Sequence, residues 1–301
     1  MTYMSTSPTS TATLFHVAAV GENRGRVILA MRRIEPRDDA VKLAFSIAEL
    51  FEASVEALFI EEPDLFAAAR LSFAREIRLD GKRRGPLDEV TLSADCEAMA
   101  SAALTHAARL ASISNIACVR RRVRSPLARA IGFACVESGP WNVVVVADPL
   151  DAGGSATIGE ILATRATTAL IAYGPNGLSV PGTSGPVLAC LSDPERLHGI
   201  LKVARRLTDL GLSPYRAPQL ALLASTDAEL EALETTVRIS LADIQSDARV
   251  IAATCSVADV AEVIENRRPA TLITTAESDL ESPQWLAAML ERAPGPVMVL
   301  S

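Results

Sequence analysis

From Arg26 onward the chain alternates short β-branched runs with longer helical patterns, and it does so twice in the same order. Such alternation is the sequence form of successive βαβ units, so the chain has few alternatives to parallel sheets covered by helices. In the first pass the predicted strands are RVILAM (Arg26 to Met31), SVEALFI (Ser54 to Ile60), NIACVRRRV (Asn115 to Val123), NVVVVA (Asn142 to Ala147) and TALIAY (Thr168 to Tyr173). In the second they are PVLACL (Pro186 to Leu191), QLALLA (Gln219 to Ala224), ARVIAA (Ala248 to Ala253), ATLITT (Ala270 to Thr275) and PVMVLS (Pro296 to Ser301). Between them lie helical patterns such as the one opened by Asp38 and Asp39, whose apolar residues Val41, Leu43, Ala44, Ile47, Ala48 and Leu50 follow a 3.6-residue period. Further helices are predicted over 87–111, 126–137, 158–165, 194–210, 227–244, 257–266 and 283–292.

Two stretches interrupt the rhythm. Residues 61–87 read as an insertion, with a short helix around Phe66 to Arg75 followed by the turn-forming, basic DGKRRGP (Asp80 to Pro86). GPNGLSVPGTSGP (Gly174 to Pro186) concentrates Gly, Pro and Ser, which supply turns and stop both helix and strand. The expected organisation is therefore a flexible N-terminal tail over 1–24, a first domain over 25–175 carrying the insertion, a linker over 176–185 and a second domain over 186–301.

Composition agrees with this class. Only 4% of residues are aromatic while 49% are hydrophobic, so the core must be built from Ala, Leu, Val and Ile, as suits helices packed closely on a parallel sheet. A net charge of −7 argues against general nucleic-acid binding. The most apolar stretches are strand-length, short of the ~20 residues that span a bilayer, so no membrane association is expected. LFHVAAV (Leu14 to Val20) has no basic residue ahead of it and makes a poor secretory signal, which points to the cytoplasm. Cys96, Cys118, Cys135, Cys190 and Cys255 are odd in number and lack CxxC spacing, so they read as small buried hydrophobes. His16, His106 and His198 have no companion at ligand or triad spacing, and a nucleophile elbow, a Walker loop and an HExxH are all absent.

PVLACLSDPE (Pro186 to Glu195) and RAPGPVMVLS (Arg292 to Ser301), with RVILAMRR (Arg26 to Arg33) and ATTALIAYG (Ala166 to Gly174), resemble the opening and closing strands of the universal stress protein family. The resemblance covers nearly all of the chain after Arg24. It implies α/β units of the adenine nucleotide alpha hydrolase-like kind: two tandem doubly wound five-stranded parallel sheets of order 3-2-1-4-5, with any ligand in the crevice between strands 1 and 4. Members that bind ATP carry an Asp at the end of strand 1 and a G-x2-G-x9-G-[S/T] loop after strand 4, so that backbone N–H groups approach the phosphates.

Both signals are degenerate in this chain. Arg32 takes the Asp position in the first half, and the loop DPLDAGGSATIGE (Asp148 to Glu160) spaces Gly153, Gly154 and Gly159 differently. In the second half Ser192 takes that position, and AESDLESP (Ala276 to Pro283) has no glycine. The candidate ligand-binding residues are thus Arg32, Arg33, Gly153, Gly154, Ser155, Thr157 and Gly159, which would hold a small anion or ATP beside a helix start; the same loop also reads as a turn with Ser155 or Thr157 as N-cap. Arg120, Arg121, Arg122 and Arg124 read either as charges guarding an edge strand or as a dock for an acidic partner or an anion. No catalytic and no metal-binding residue is assigned. The expectation is a non-enzymatic regulatory or adaptor protein in which TALIAY and PVMVLS join the two halves as an internal dimer. Its partner is a protein of unidentified kind, a homodimer is a further expected assembly, and nucleotide binding by the first half alone is the alternative.

Overall fold

The computed structural model describes residues 25–33, 38–77, 83–138, 142–150, 154–163, 167–175, 185–211, 213–276 and 283–301. The N-terminal tail, Gly153 and nearly all of the linker lie outside them. The first half contains β1 (Arg26–Met31), α1 (Asp38–Leu50), β2 (Ser54–Glu61), α2 (Pro63–Ala69), β3 (Arg75–Ile77), β4 (Arg83–Pro86), α3 (Glu89–Ile113), β5 (Cys118–Arg124), α4 (Leu127–Ser138), β6 (Asn142–Val146), α5 (Gly154–Leu162) and β7 (Ala169–Ala172). The second contains β8 (Val187–Leu191), α6 (Leu197–Asp209), β9 (Gln219–Leu223), α7 (Asp227–Asp243), β10 (Arg249–Thr254), α8 (Val257–Arg267), β11 (Thr271–Thr275), α9 (Pro283–Arg292) and β12 (Val297–Leu300).

Ten of these strands form one sheet in the order β10-β9-β8-β11-β12-β7-β6-β1-β2-β5. Read from each outer edge inward, each half runs third, second, first, fourth, fifth, which is the order the resemblance implies. Within this sheet every pair inside one half is parallel. The halves meet where β7 and β12 pair antiparallel, Val299 opposite Leu170 and Met298 opposite Ile171. All eight residues of these two strands are buried, so their pairing hides two edges that would otherwise expose apolar side chains and unpaired peptide groups.

The central strands read as unbroken apolar runs because helices cover both sides. On one side α1, α3, α6 and α7 pack against Val27, Val143, Ile171 and Leu220; on the other α4, α5, α8 and α9 pack against Ile28, Val144, Leu170 and Leu272. Each apolar layer runs through both halves. The scarcity of aromatics is answered by alanine: α3 buries Cys96, Ala100, Ala103, Ala107 and Ala111, a stripe of small side chains that brings a 25-residue helix close to the sheet. Its start is fixed by Asp88, which accepts from the Thr91 N–H at 2.8 Å.

Some local expectations shift. The short helix of the insertion lies at Pro63–Ala69 rather than around 66–75, because Pro63 presets the first turn and Asp64 suits its positive end. Arg83–Pro86, read as part of a turn, forms β4 and pairs antiparallel with β3. The helix after β6 begins at Gly154, four residues earlier than its apolar pattern suggests. The 194–210 helix opens as a 3-10 turn over Pro194–Arg196, where Asp193 accepts from the Glu195 N–H.

Candidate functional site

In each half the first strand is the point where the chain's connections diverge, one leading to a helix on one side of the sheet and the fourth strand's to a helix on the other. The carboxyl ends of β1 and β6 therefore frame a crevice. Arg32 directly follows β1, and Asp148 lies two residues beyond β6. The Asp148 side chain is 2% exposed. Its Oδ2 accepts from the backbone N–H of Arg32 at 2.5 Å, which ties the two strand ends together across 116 residues of sequence.

Charges complete the closure. Arg32 Nε stands 3.9 Å from Asp148 Oδ2, and Arg33 Nε 3.8 Å from Oδ1. On its other side Arg32 donates through Nη1 to Glu62, at the end of β2, at 3.3 Å. A chain of alternating sign thus crosses the ends of β2, β1 and β6. Burial pushes the Asp148 carboxyl above the usual carboxylate range, and the Arg32 N–H together with the Arg32 and Arg33 charges only partly offsets that cost. The arrangement can hold a carboxylate and two guanidiniums in register. It presents neither a nucleophile with a base nor a set of metal ligands, and among the described residues no group of three metal-binding side chains occurs.

The expected site residues are distributed unevenly. Arg32 and Arg33 do stand at the crevice, Arg32 mostly covered and Arg33 69% exposed. Gly154 and Ser155 form the first turn of α5. Thr157 is half-buried and takes part in a polar interaction. Gly159 is exposed in the middle of α5, and a Cβ there would meet nothing within 4 Å, so no close backbone approach demands glycine. Sequence reasoning missed Asp148, whose signal was an acidic residue just past a fully apolar strand whose neighbour ends in Arg-Arg; Glu62 reads from sequence as a charge that could cover the crevice or merely face solvent, and it pairs with Arg32. In the second half Asp193, beside the Ser192 position, caps a turn with its carboxylate and faces Arg196 at 4.0 Å. The loop 277–282 lies outside the described residues.

Three arginines of β5, Arg121, Arg122 and Arg124, pair with buried carboxylates, while Arg120 is exposed. Glu56, fully buried on β2, is met by Arg26 at 2.7 Å and Arg121 at 3.2 Å, and Arg121 also binds Glu137. Glu61, 3% exposed, accepts from Arg122 Nε at 2.5 Å and Arg124 Nε at 3.1 Å, while Arg124 lies over the Phe66 ring at 3.4 Å. β5 is indeed an edge strand. The guanidiniums of Arg121, Arg122 and Arg124 neutralise two buried carboxylates, which leaves these three poorly suited to an acidic partner. His106 faces Asp38 at 3.6 Å.

No protein-family profile and no curated protein sequence matches the chain. Solved structures do. A functionally unknown protein from Pseudomonas aeruginosa PAO1 superposes with a TM-score of 0.57 at 14% identity, covering 97% of this chain and 94% of that one. A candidate universal stress protein from Pseudomonas aeruginosa UCBPP-PA14 gives 0.56 at 15% identity, with 95% and 94% covered. A universal stress protein from Archaeoglobus fulgidus DSM 4304 gives 0.57 at 12% identity, with 93% and 97% covered. At such identities the likeness speaks for the fold, and the fold of this chain is that of the universal stress proteins, laid down twice in one polypeptide.

Proposed function

We propose that this chain is a non-enzymatic regulatory or adaptor protein of the cytoplasm that carries its own internal dimer and acts through protein contacts rather than through a bound nucleotide. The observation that carries the reading is the ion-paired closure of the first-half crevice. The buried Asp148 carboxylate and the Arg32 guanidinium stand at the strand ends where the resemblance leads one to expect a nucleotide, so a ligand would have to displace them and leave a buried carboxylate without its partners. The continuous sheet through β7 and β12 supports the internal dimer.

A nucleotide or small anion held by the first half alone is the competing reading, and the exposed Arg33 guanidinium favours it. Thermal denaturation with Mg-ATP and, separately, with inorganic phosphate tests both. A one-site ligand at ~100 times its dissociation constant stabilises by about 2.7 kcal/mol, a shift of several degrees for a protein of ordinary size. The adaptor reading expects neither addition to shift the midpoint. A shift with Mg-ATP that Arg32→Ala and Gly154→Val abolish would overturn it in favour of nucleotide; a shift with phosphate alone would overturn it in favour of an anion.

A further inference from the structure

α3 and α7 hold the same place in the two halves: each leads into the third strand of its half and packs on the outer strands of the sheet. Their outward faces differ. α7 carries six charged residues in 17, and Asp227, Glu231, Arg238 and Asp243 stand exposed, as suits a solvated face. α3 carries only four in 25, and two of these, Glu89 and Glu97, are met by Arg70 and Arg122 of the same chain. Along its length α3 exposes Ala94, Ala98, Ala102 and Thr105, with Val90 77% exposed near its start and Ile113 75% exposed at its end. A helix apolar on every side belongs in an interior, yet among the described residues nothing covers this side of α3.

We propose that this face is an isologous contact with a second copy of the chain, the two α3 helices lying antiparallel about a two-fold axis at Ala102. Charge selects the occupant and the direction. Asp95 and Arg109, the other two charges of the helix, are exposed, opposite in sign and without an ion-pair partner among the described residues. Each lies seven residues from Ala102, about 10 Å along the helix, so an antiparallel mate sets Asp95 against Arg109 of the second copy, twice over. A parallel mate would set like charges together. At the centre, Ala98 and Ala102 allow the two helix axes to approach to about 8 Å. At either end Val90 of one copy and Ile113 of the other come to the same place, twelve and eleven residues from the two-fold axis. Phe73, 75% exposed, stands beside that end, because Ala74 accepts from the Leu87 N–H at 3.2 Å. The helix is about 37 Å long, and a face ~10 Å wide yields about 400 Å² per copy, the low end of specific interfaces, so association in the micromolar range is expected.

Sedimentation equilibrium on the full chain at low salt, from about 1 to 200 µM, tests this with Asp95→Arg, Arg109→Asp and the double exchange of the two. The expected result is a reversible dimer that each single exchange weakens about tenfold or more, because two like-charge pairs then face each other, and that the double exchange restores to within about threefold. Both positions are exposed, so the urea midpoint of the single variants should stay near that of the unaltered chain. A chain that remains monomeric throughout the range would overturn the proposal and leave the face to a different protein. A dimer indifferent to both single exchanges, or one that the double exchange does not restore, would overturn it too, since the contact would then lie elsewhere.

Discussion

Leu170→Ala probes whether the β7–β12 pairing makes one energetic unit of two. Leu170 is fully buried in β7, lies opposite Val299 of β12 and shares its apolar layer with Ile158 and Ile161 of α5 and Met289 and Leu290 of α9. Truncation removes three carbons, about 2.4 kcal/mol at ~0.8 kcal/mol each. The strands and helices on every side restrict collapse, so a cavity cost adds to this and the total should be about 3–4 kcal/mol. That is a large fraction of the ~5–15 kcal/mol that stabilises an ordinary domain. Urea unfolding should be followed by far-UV circular dichroism and by Trp285, 8% exposed in α9, in a Trp141→Phe background. One transition is expected, with a lower midpoint and an unchanged slope. Exchange should quicken in β1 and β2 of the first half and equally in β8 and β9 of the second. If β8 and β9 keep their original protection while β1 and β2 lose theirs, the continuous sheet carries no coupling and the reasoning fails.

Gly174→Ala should destabilise by about 1–3 kcal/mol or more, because its new Cβ meets the Leu290 carbonyl, whereas Gly159→Ala, with open space around it, should stabilise by about 0.4–1 kcal/mol; equal melting temperatures would contradict the close approach of β7 and α9. Burial raises the Asp148 pKa, so the folded chain holds that proton at a pH where the unfolded chain has released it; the resulting stability is present below the unfolded value and is lost as pH rises through the folded one. Asp148→Asn, which keeps an acceptor for the Arg32 N–H, should therefore flatten the pH dependence of the urea midpoint in the acid range and change stability at pH 7 by no more than about 1 kcal/mol; an undiminished acid dependence would sink this assignment. Glu61→Gln removes the counter-charge from Arg122 and Arg124, which are each about a third exposed, and should cost about 1–3 kcal/mol by chemical denaturation. A loss below ~0.5 kcal/mol would mean that solvent alone satisfies these guanidiniums.

What the sequence made legible was whatever is encoded locally. Runs such as Val143 to Val146 are apolar throughout because both sides of the strand are covered, and the helices announce themselves through their period, as in Val41 to Leu50 behind Asp38 and Asp39; the caps Asp88 and Thr226 come only with the structure. Strand order came from the resemblance, since hydrophobic pattern alone does not say which strands are neighbours. The site was harder to read because its decisive contact joins Arg32 to Asp148, 116 residues away, and nothing local marks Asp148 as buried. The same holds at the edge. The Arg120 to Arg124 run was readable as an edge strand, but Glu56 and Glu61 acquire meaning only once β2 and β5 lie side by side with Glu56 opposite Val119 and Glu61 opposite Arg124. At Gly159 no packing within the chain requires glycine, since a Cβ there would meet nothing within 4 Å.

Native mass spectrometry of the purified chain, paired with analysis of any small molecule released on denaturation, tests the central claim most directly. If Asp148 and Arg32 occupy the crevice in place of a ligand, the folded protein carries the mass of the polypeptide alone and releases no nucleotide. A stoichiometric nucleotide that co-purifies and is lost in Arg32→Ala would contradict it.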